Sequence, residues 1–224
     1  KTFIAGMPDT PLIGFAGAPF TLAAYLIEGA GSKNYAKTKA FMFNQPRVAR
    51  KLLEKISDTV TAHLMAQVEA GCKAVQIFDS WAGHLGRDDF LTFGLPFIIK
   101  IVDALKSKNV PIIVFAKGAH ASLGELAACG ADVLGIDWTL PMHKARELTG
   151  DKGVLQGNLE PCALLGPIER IEREVQRVLN EAQGAKGHVF NLGHGILPMT
   201  DPEHMGALVD AVKRNGVRRV PTDL

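Results

Sequence analysis

The sequence predicts an α/β fold with about six strands, and within that class it favours a (β/α) barrel of the TIM type. Short apolar runs alternate with longer helical patterns, and most of the runs are too continuously apolar for strands with one exposed face. Such strand–helix repeats indicate parallel strands joined by right-handed crossovers. An open doubly wound sheet is the alternative, but no G-x-G-x-x-G follows a strand. We expect residues 1–224 to form a single incomplete barrel domain.

The predicted strands are, in chain order, "PLIGFAG" (11–17), "KAVQIFD" (73–79), "VPIIVFA" (110–116), "DVLGIDW" (132–138), "GVLQGN" (153–158) and "HVFNLG" (188–193). A long helix after the first strand is expected to end at Gly71 as its C-terminal cap. Its predicted apolar stripe consists of Val48, Leu52, Ile56 and Val60.

Two later helices carry recognisable start and stop signals. One begins with Pro167 and ends before Gly184, the asymmetry expected of helix termini. The other opens with Asp201 as N-cap and Pro202 at the first helical position, and it ends at Gly216.

The composition excludes several classes of protein. The 224 residues are 47% hydrophobic and 21% charged, with a net charge of +2, which suits a globular protein and argues against nucleic acid as the main partner. No apolar run reaches the length of a membrane span. Cys72, Cys129 and Cys162 lack metal-ligand spacing, so we expect reduced packing residues in a cytoplasmic protein. The chain begins with Lys1 in mid-pattern, and we expect it to be a fragment.

Polar side chains follow the predicted strands, where parallel α/β folds place their functional groups. They are Asp79, Ser80, His84, Lys117, His120, Asp137, Asn158 and His194. We expect these groups to face one mouth. Ser80 fits a tight loop better than a helix cap, and Lys117 favours a charge partner or an anionic ligand.

Some of these residues allow two interpretations. Asp137 is either a structural carboxylate or a site residue, and Tyr25 is either core packing or a site residue. His194 lies between two glycines that we expect to adopt unusual φ and to bring the imidazole close to a ligand. General catalytic signatures such as G-x-S-x-G and H-E-x-x-H are absent. The residues alone therefore predict an enzyme-like barrel with a small anionic ligand and no evident cofactor.

The strand ends, taken together, resemble the uroporphyrinogen decarboxylase family. The motifs that carry the resemblance, in the family's order, are "PLIGFAGAPFTLAAYLIEG", "QIFDSWAGHLG", "VPIIVFAKG", "LGIDWTLP", "LQGNLEP" and "FNLGHGILPMTDPEH". The resemblance implies a carboxy-lyase that converts the four acetate side chains of uroporphyrinogen III to methyls, giving coproporphyrinogen III for haem biosynthesis. It also implies a distorted (β/α)8 TIM-type barrel, which is incomplete in this chain. The implied protein is a cytoplasmic homodimer that uses no metal or organic cofactor.

The resemblance assigns roles to individual residues. Tyr25 in "LAAYLIEG" matches the family's active-site tyrosine and is the expected catalytic and substrate-binding residue. Ser80 in "FDSWAG" and His194 in "NLGHG" match residues that contact substrate carboxylates. Phe15 and Phe78 match apolar residues of the substrate pocket. Lys117 is a weaker candidate, and His84, His120 and Asp137 are expected to be structural.

The sequence departs from the family at its start. The family's arginine-containing "MRQAGRY"-type segment and its early strand-end aspartate are missing from Lys1–Leu224. We therefore expect the isolated chain to be inactive, to have an open sheet edge and to aggregate.

Two other functions were weighed. A zinc- and corrinoid-dependent methyltransferase of the same superfamily would need ligands where "FAKGAH" has Phe115 and Lys117. The other alternative is a non-catalytic tetrapyrrole-binding fragment.

Overall fold

A computed structural model describes residues 2–7, 9–151 and 153–216. Lys1, on which the expectation of a fragment rests, lies outside these ranges. The strands are β1 (Ile13–Gly17), β2 (Ala74–Asp79), β3 (Ile112–Ala116), β4 (Val133–Gly135), β5 (Val154–Leu159) and β6 (Gly187–Leu192).

The helices surround these strands in sequence. They are α1 (Thr2–Gly6), α2 (Pro19–Glu28), α3 (Ala36–Asn44), α4 (Pro46–Glu69), α5 (Arg87–Phe93), α6 (Leu95–Leu105), α7 (Leu123–Ala127), α8 (Met142–Thr149), α9 (Ile168–Glu181) and α10 (Pro202–Asn215). Short 3-10 helices cover Ala82–His84, Lys106–Lys108, His120–Ser122 and Pro161–Leu165.

Within the described residues, six strands follow the order β1-β2-β3-β4-β5-β6 in one open sheet. The register is parallel between β1 and β2, between β2 and β3, and between β5 and β6. The predicted α/β class and its six strands are therefore confirmed. The closed barrel is not formed by this part of the chain, which agrees with the expectation of an incomplete one.

The chain divides into two compact units, Lys1–Leu134 (the first unit) and Gly135–Leu224 (the second unit). In the first unit α4 packs against α2, α6 and β1. In the second unit α9 packs against α10 and β5. That residues 1–224 form one barrel domain stays a prediction.

The expectation that the strands are covered on both faces is right for β3 and wrong for β1 and β6. Every residue of β3 is buried. In β1, Ile13 and Phe15 are 47% and 63% exposed, and in β6 Val189 is 44% exposed. These are the end strands of the open sheet, and one face of each lacks a covering layer.

The apolar stripe of α4 begins one residue later than predicted. The buried side chains are Ala49, Leu53, Ile56, Val60 and Leu64. Val48 is exposed because a stripe with strict four-residue spacing drifts around a helix that has 3.6 residues per turn. The observed stripe mixes spacings of three and four and stays on one face.

The predicted helix ends are confirmed. Gly71 has a φ of +111° just after α4, a left-handed conformation that suits glycine. α9 begins directly after Pro167 and ends before Gly184. The Asp201 carboxylate accepts a hydrogen bond from the Glu203 backbone N–H, at 2.9 Å, and caps α10.

The cysteines are all free. Cys72 and Cys129 are buried, as expected of packing residues. Cys162 is exposed, so its predicted packing role is wrong, because the 3-10 helix Pro161–Leu165 turns this side chain to the surface.

Candidate active site

Aromatic rings line one face of the first three strands. Phe15 of β1 packs edge-on against Phe78 of β2, with ring centroids 6.0 Å apart. Phe78 packs in the same way against Phe115 of β3, at 5.9 Å, and the two residues are register partners. We call Phe15, Phe78 and Phe115 the aromatic wall. The wall contains both predicted pocket phenylalanines, and it adds Phe115, which the sequence analysis did not assign to the substrate pocket.

The loops after β2 and β3 touch backbone to backbone. The Gly83 N–H donates to the Lys117 carbonyl oxygen at 2.8 Å. A Cβ at Gly83 would lie 2.8 Å from both that oxygen and the Gly118 Cα, so no larger residue fits here. Ser80 lies at the start of the β2 loop and is half-buried. The expected tight loop at Ser80 is confirmed.

A cluster of rings packs beside this loop. Tyr25 of α2 meets Trp81 edge-on, with centroids 5.8 Å apart. Tyr35, which is fully buried, lies 5.2 Å from Trp81 and 4.7 Å from His84 between ring centroids. Tyr25 is 44% exposed, so the interpretation of Tyr25 as a core-packing residue is wrong.

Positive charge gathers around His84. Burial lowers the pKa of His84, and the charges of Lys39 and Lys117 lower it further. Like charges raise the cost of protonating the imidazole. Burial is the larger cause of the lowered pKa, and the smaller part is due to the two lysine charges, which favour an anionic ligand.

Asp79 ends β2 and is completely buried. Its Oδ1 accepts a hydrogen bond from the Thr21 hydroxyl at 2.6 Å, while its Oδ2 has no hydrogen-bond partner among the described residues. Burial raises the pKa of the Asp79 carboxyl to about 7, and interactions with the Thr21 hydroxyl and backbone N–H lower it in part.

In the second unit His194 follows β6 and stacks on Trp138. Their ring centroids are 6.4 Å apart and the rings are inclined by 26°. A Cβ at Gly193 would lie 2.5 Å from the Trp138 backbone nitrogen, so glycine permits this approach. Neither Gly193 nor Gly195 has a positive φ, so the expected unusual φ is wrong. Close backbone packing at Gly193 explains the glycine instead.

Asp137 has a structural environment. Its Oδ1 accepts from the Thr139 backbone N–H at 2.9 Å and from the Thr139 hydroxyl. The Asn158 amide nitrogen donates to the Asp137 and Leu140 carbonyl oxygens at 3.0 and 2.6 Å. These bonds hold the loop that carries Trp138. His120 lies half-buried in a 3-10 helix of the first unit.

The predicted site residues thus fall into two groups. Phe15, Tyr25, Phe78 and Ser80 lie near the carboxyl ends of β1 and β2 or on α2, all in the first unit. His194 lies in the second unit. That the two groups share one pocket stays a prediction.

Two cavities differ in their relation to these residues. A cavity of about 540 Å³ lies at the amino end of β6 and includes His188, whose pKa is lowered by burial. Functional groups of parallel α/β folds lie at the opposite strand ends. An apolar groove of about 410 Å³ between α2 and α4 is bordered by Tyr25. Only the groove therefore adjoins a predicted site residue.

Metal and membrane sites are not evident in the described ranges. Within residues 2–7, 9–151 and 153–216, no three His, Cys, Asp or Glu side chains come together as a metal site requires. In the same part of the chain, every helix is too short or too polar to traverse a bilayer.

Comparison with known proteins decides the family. Residues 4–215 match the family model described as uroporphyrinogen decarboxylase (URO-D). The chain belongs to the uroporphyrinogen decarboxylase family. A relative of that name from Myxococcus xanthus (strain DK1622) is 51% identical over 209 residues, which are 93% of this chain and 60% of the relative. Another, from Saccharophagus degradans, is 50% identical over 206 residues, which are 90% of this chain and 58% of the relative.

The chain therefore spans about 60% of the length of these curated uroporphyrinogen decarboxylase relatives. Among solved structures, a methyltransferase from Methanosarcina mazei is similar, with a TM-score of 0.84 and 24% identity, over 96% of this chain and 62% of its own. A B12-independent methionine synthase from Shewanella sp. W3-18-1 is similar with a TM-score of 0.63 and 12% identity, over 96% and 63%. At these identities the likeness shows the fold alone.

Several residues of the candidate site were given no role from the sequence. Asp79 was noted as a strand-end residue but was given no role, although a carboxyl at the end of an apolar strand is a signal of its own. Thr21, Tyr35 and Trp81 carried no signal, because their importance depends on contacts between elements distant in sequence.

We predict that Gly193→Ala destabilises the second unit by about 1–3 kcal/mol, because the new Cβ would meet the Trp138 backbone. Gly195→Ala is the matched control, since its Cβ would point into open space. We expect it to change the free energy of unfolding by less than about 0.5 kcal/mol. Urea unfolding followed by tryptophan fluorescence measures both, and equal losses would contradict the prediction.

We predict that Asp79 contributes a component of the free energy of unfolding that falls as pH rises from about 4 to about 7. The unfolded chain ionises its aspartates above about pH 4, whereas burial raises the pKa of folded Asp79 to about 7. Between these values the unfolded state binds fewer protons, so the free energy of unfolding decreases with pH.

Asp79→Asn should remove this component of the pH dependence, while the exposed Asp88→Asn should keep it. The measurement is the urea midpoint of the wild type and both variants at about pH 5 and about pH 8. Parallel profiles for the wild type and Asp79→Asn would show that Asp79 is not its source.

Proposed function

We propose that this chain forms part of an enzyme that decarboxylates uroporphyrinogen III to coproporphyrinogen III. The observation that carries the proposal is its identity of about half to relatives named uroporphyrinogen decarboxylase, over nine-tenths of the chain. The activity is assigned to the whole protein because the chain spans about 60% of those relatives.

The first unit offers what such a substrate requires. A tetrapyrrole presents flat apolar rings and many carboxylates. The aromatic wall supplies an apolar surface, with the Phe15 ring exposed to solvent. Lys39 and Lys117 place positive charge near His84, on the loop that follows β2, and this charge favours binding of carboxylates.

The proposed reaction needs no external electron sink. A proton adds to a pyrrole carbon beside the acetate side chain and makes the ring cationic. The bond to the carboxylate carbon then breaks, CO2 leaves, and its electron pair neutralises the ring. A second proton converts the exocyclic methylene to a methyl, and the ring carbon loses its added proton. The protein positions the substrate, stabilises the cation and moves protons.

We assign Tyr25 as the catalytic residue that contacts the substrate from α2. Its ring is held edge-on by Trp81 and its surface is partly open. We assign Ser80 and His194 as donors to substrate carboxylates, and Phe15 and Phe78 as contacts for the ring faces. The stacking of His194 on Trp138 supports a fixed imidazole orientation.

We also propose the finer features that the family resemblance implies. The whole protein acts as a homodimer in the cytoplasm, on a small-molecule tetrapyrrole, without nucleic acid or membrane partners. Size-exclusion chromatography with light scattering tests the dimer.

The methyltransferase alternative has no supporting residues in the first unit. Phe115 and Lys117 stand where the zinc-dependent relatives would need ligands. The similarity to a methyltransferase at 24% identity concerns the fold alone. Metal analysis of the purified protein separates the two enzymes.

We predict that the whole protein converts uroporphyrinogen III to coproporphyrinogen III, and that Tyr25→Phe lowers kcat about 10²- to 10⁴-fold. Ser80→Ala should raise KM about tenfold, because one donor to a substrate carboxylate is lost. Ser107→Ala, in the 3-10 helix after α6, is the control and should leave both constants unchanged. Anaerobic assays with chromatography of the oxidised porphyrins measure these changes. Binding of the substrate without turnover by the wild type would favour the non-catalytic alternative.

A further inference from the structure

We propose that Asp79 is a positioning residue for the decarboxylation, because its carboxyl joins the start of α2, which carries Tyr25, to the end of β2, which precedes Ser80. The inference rests on the proposed function and assigns a role to a residue that does not itself touch the substrate.

The start of α2 needs a partner from outside the helix. Its N-cap residue, Ala18, has no side chain that can accept a hydrogen bond, and Pro19 follows it. Free N–H groups at a helix start carry partial positive charge. The Thr21 hydroxyl, in the first turn, donates to the Asp79 carboxyl at 2.6 Å, and the Ala18 backbone N–H donates to the Phe78 carbonyl oxygen at 2.8 Å. The end of β2 therefore holds the start of α2 by one side-chain and one backbone hydrogen bond.

The Thr21 hydroxyl also links Asp79 to the loop that follows β2. It donates to Asp79 Oδ1 at 2.6 Å and accepts from the Trp81 backbone N–H at 3.2 Å. One hydroxyl can do both, since it has one proton and two lone pairs. Asp79, Thr21 and Trp81 thus form a chain of hydrogen bonds around Ser80, which we call the Asp79 joint.

The Asp79 joint reaches Tyr25 by two routes. The first is α2 itself, because Tyr25 lies about one turn beyond Thr21 on the same helix. The second is Trp81, whose ring packs edge-on against Tyr25 at 5.8 Å. Loss of the joint would therefore move Tyr25 and Ser80 relative to each other, and small displacements of this kind lower kcat.

The protonation state of the carboxyl should matter for this joint. An ionised carboxylate accepts stronger hydrogen bonds and interacts favourably with a helix start, whereas the neutral acid is the weaker partner. The titratable groups on the elements that adjoin Asp79 are Tyr25 on α2, His84 on the loop after β2, and Lys117 at the end of β3. Burial is the main cause of the raised pKa of Asp79.

Asparagine mimics the neutral acid, because it keeps one carbonyl oxygen for Thr21 and cannot ionise. In the whole protein we expect the kcat of Asp79→Asn to be within about twofold of the wild type at about pH 6 and about five- to tenfold lower at about pH 8. KM should stay within about twofold at both pH values, because Asp79 contacts no substrate.

A second pair of variants tests the same joint without altering the carboxyl. Thr21→Val removes the hydroxyl at nearly constant volume and should lower kcat about tenfold or more, whereas Thr21→Ser should restore it. Thr38→Val is the matched control: its hydroxyl donates to Glu28 at 3.0 Å near the other end of α2. That variant should keep the wild-type kcat.

The outcomes separate this inference from the proposed function. A wild type that does not decarboxylate uroporphyrinogen refutes the proposed function and this inference with it. An active wild type whose pH profile runs parallel to that of Asp79→Asn refutes the inference alone, as does a Thr21→Val variant no worse than Thr38→Val. If Asp79→Asn fails to fold, the three threonine variants decide.

Discussion

The hydrogen bond from the Thr21 hydroxyl to the Asp79 carboxyl joins three segments of the first unit near the strand ends. It closes the start of α2, ends β2 and holds the backbone of Trp81 through the same hydroxyl. A buried carboxyl normally costs stability, since it loses its hydration. Here the cost appears as a raised pKa, because the hydrogen bonds of Thr21 offset burial only in part. A buried carboxyl with a raised pKa is more typical of functional sites than of hydrophobic cores.

Backbone proximity is the second constraint on both units. Gly83 meets the Lys117 carbonyl and Gly118, and Gly193 meets the Trp138 backbone, at distances that leave no room for a Cβ. The loop after β2 contacts the loop after the adjacent strand β3, and the loop after β6 contacts the loop after β4. The side chains carried by these loops are therefore set by backbone packing, which is stiffer than side-chain contact.

The sequence predicted the strands well, because fully apolar runs such as "VPIIVFA" leave little choice of environment. It predicted helix ends where a proline, a glycine or Asp201 marked them. It failed where the environment depends on distant contacts: Phe15 is apolar yet exposed, and Tyr35 is buried with its hydroxyl unpartnered within the described residues. The role of Gly193 was also predicted wrongly. Glycine is required both for a close backbone approach and for an unusual φ, and the sequence does not distinguish the two cases. Burial of Asp79 against Thr21 has no local signature either, because 58 residues separate the two.

At the end of β3, the residue types of this chain differ from those that a zinc-dependent enzyme of similar fold would need. The fold is similar to that of a methyltransferase, yet function in parallel α/β proteins depends on strand-end residues. Phe115 extends the aromatic wall and Lys117 contributes to the potential at His84, in a position where a zinc enzyme would place metal ligands. A phenyl ring and an ammonium group cannot coordinate a metal ion, but they can contact the flat rings and the carboxylates of a carboxylate-rich molecule. The pyrrole ring of the proposed substrate accepts the electron pair itself, so the protein has to position the substrate and to stabilise charge. Aromatic and cationic side chains are suited to these two tasks.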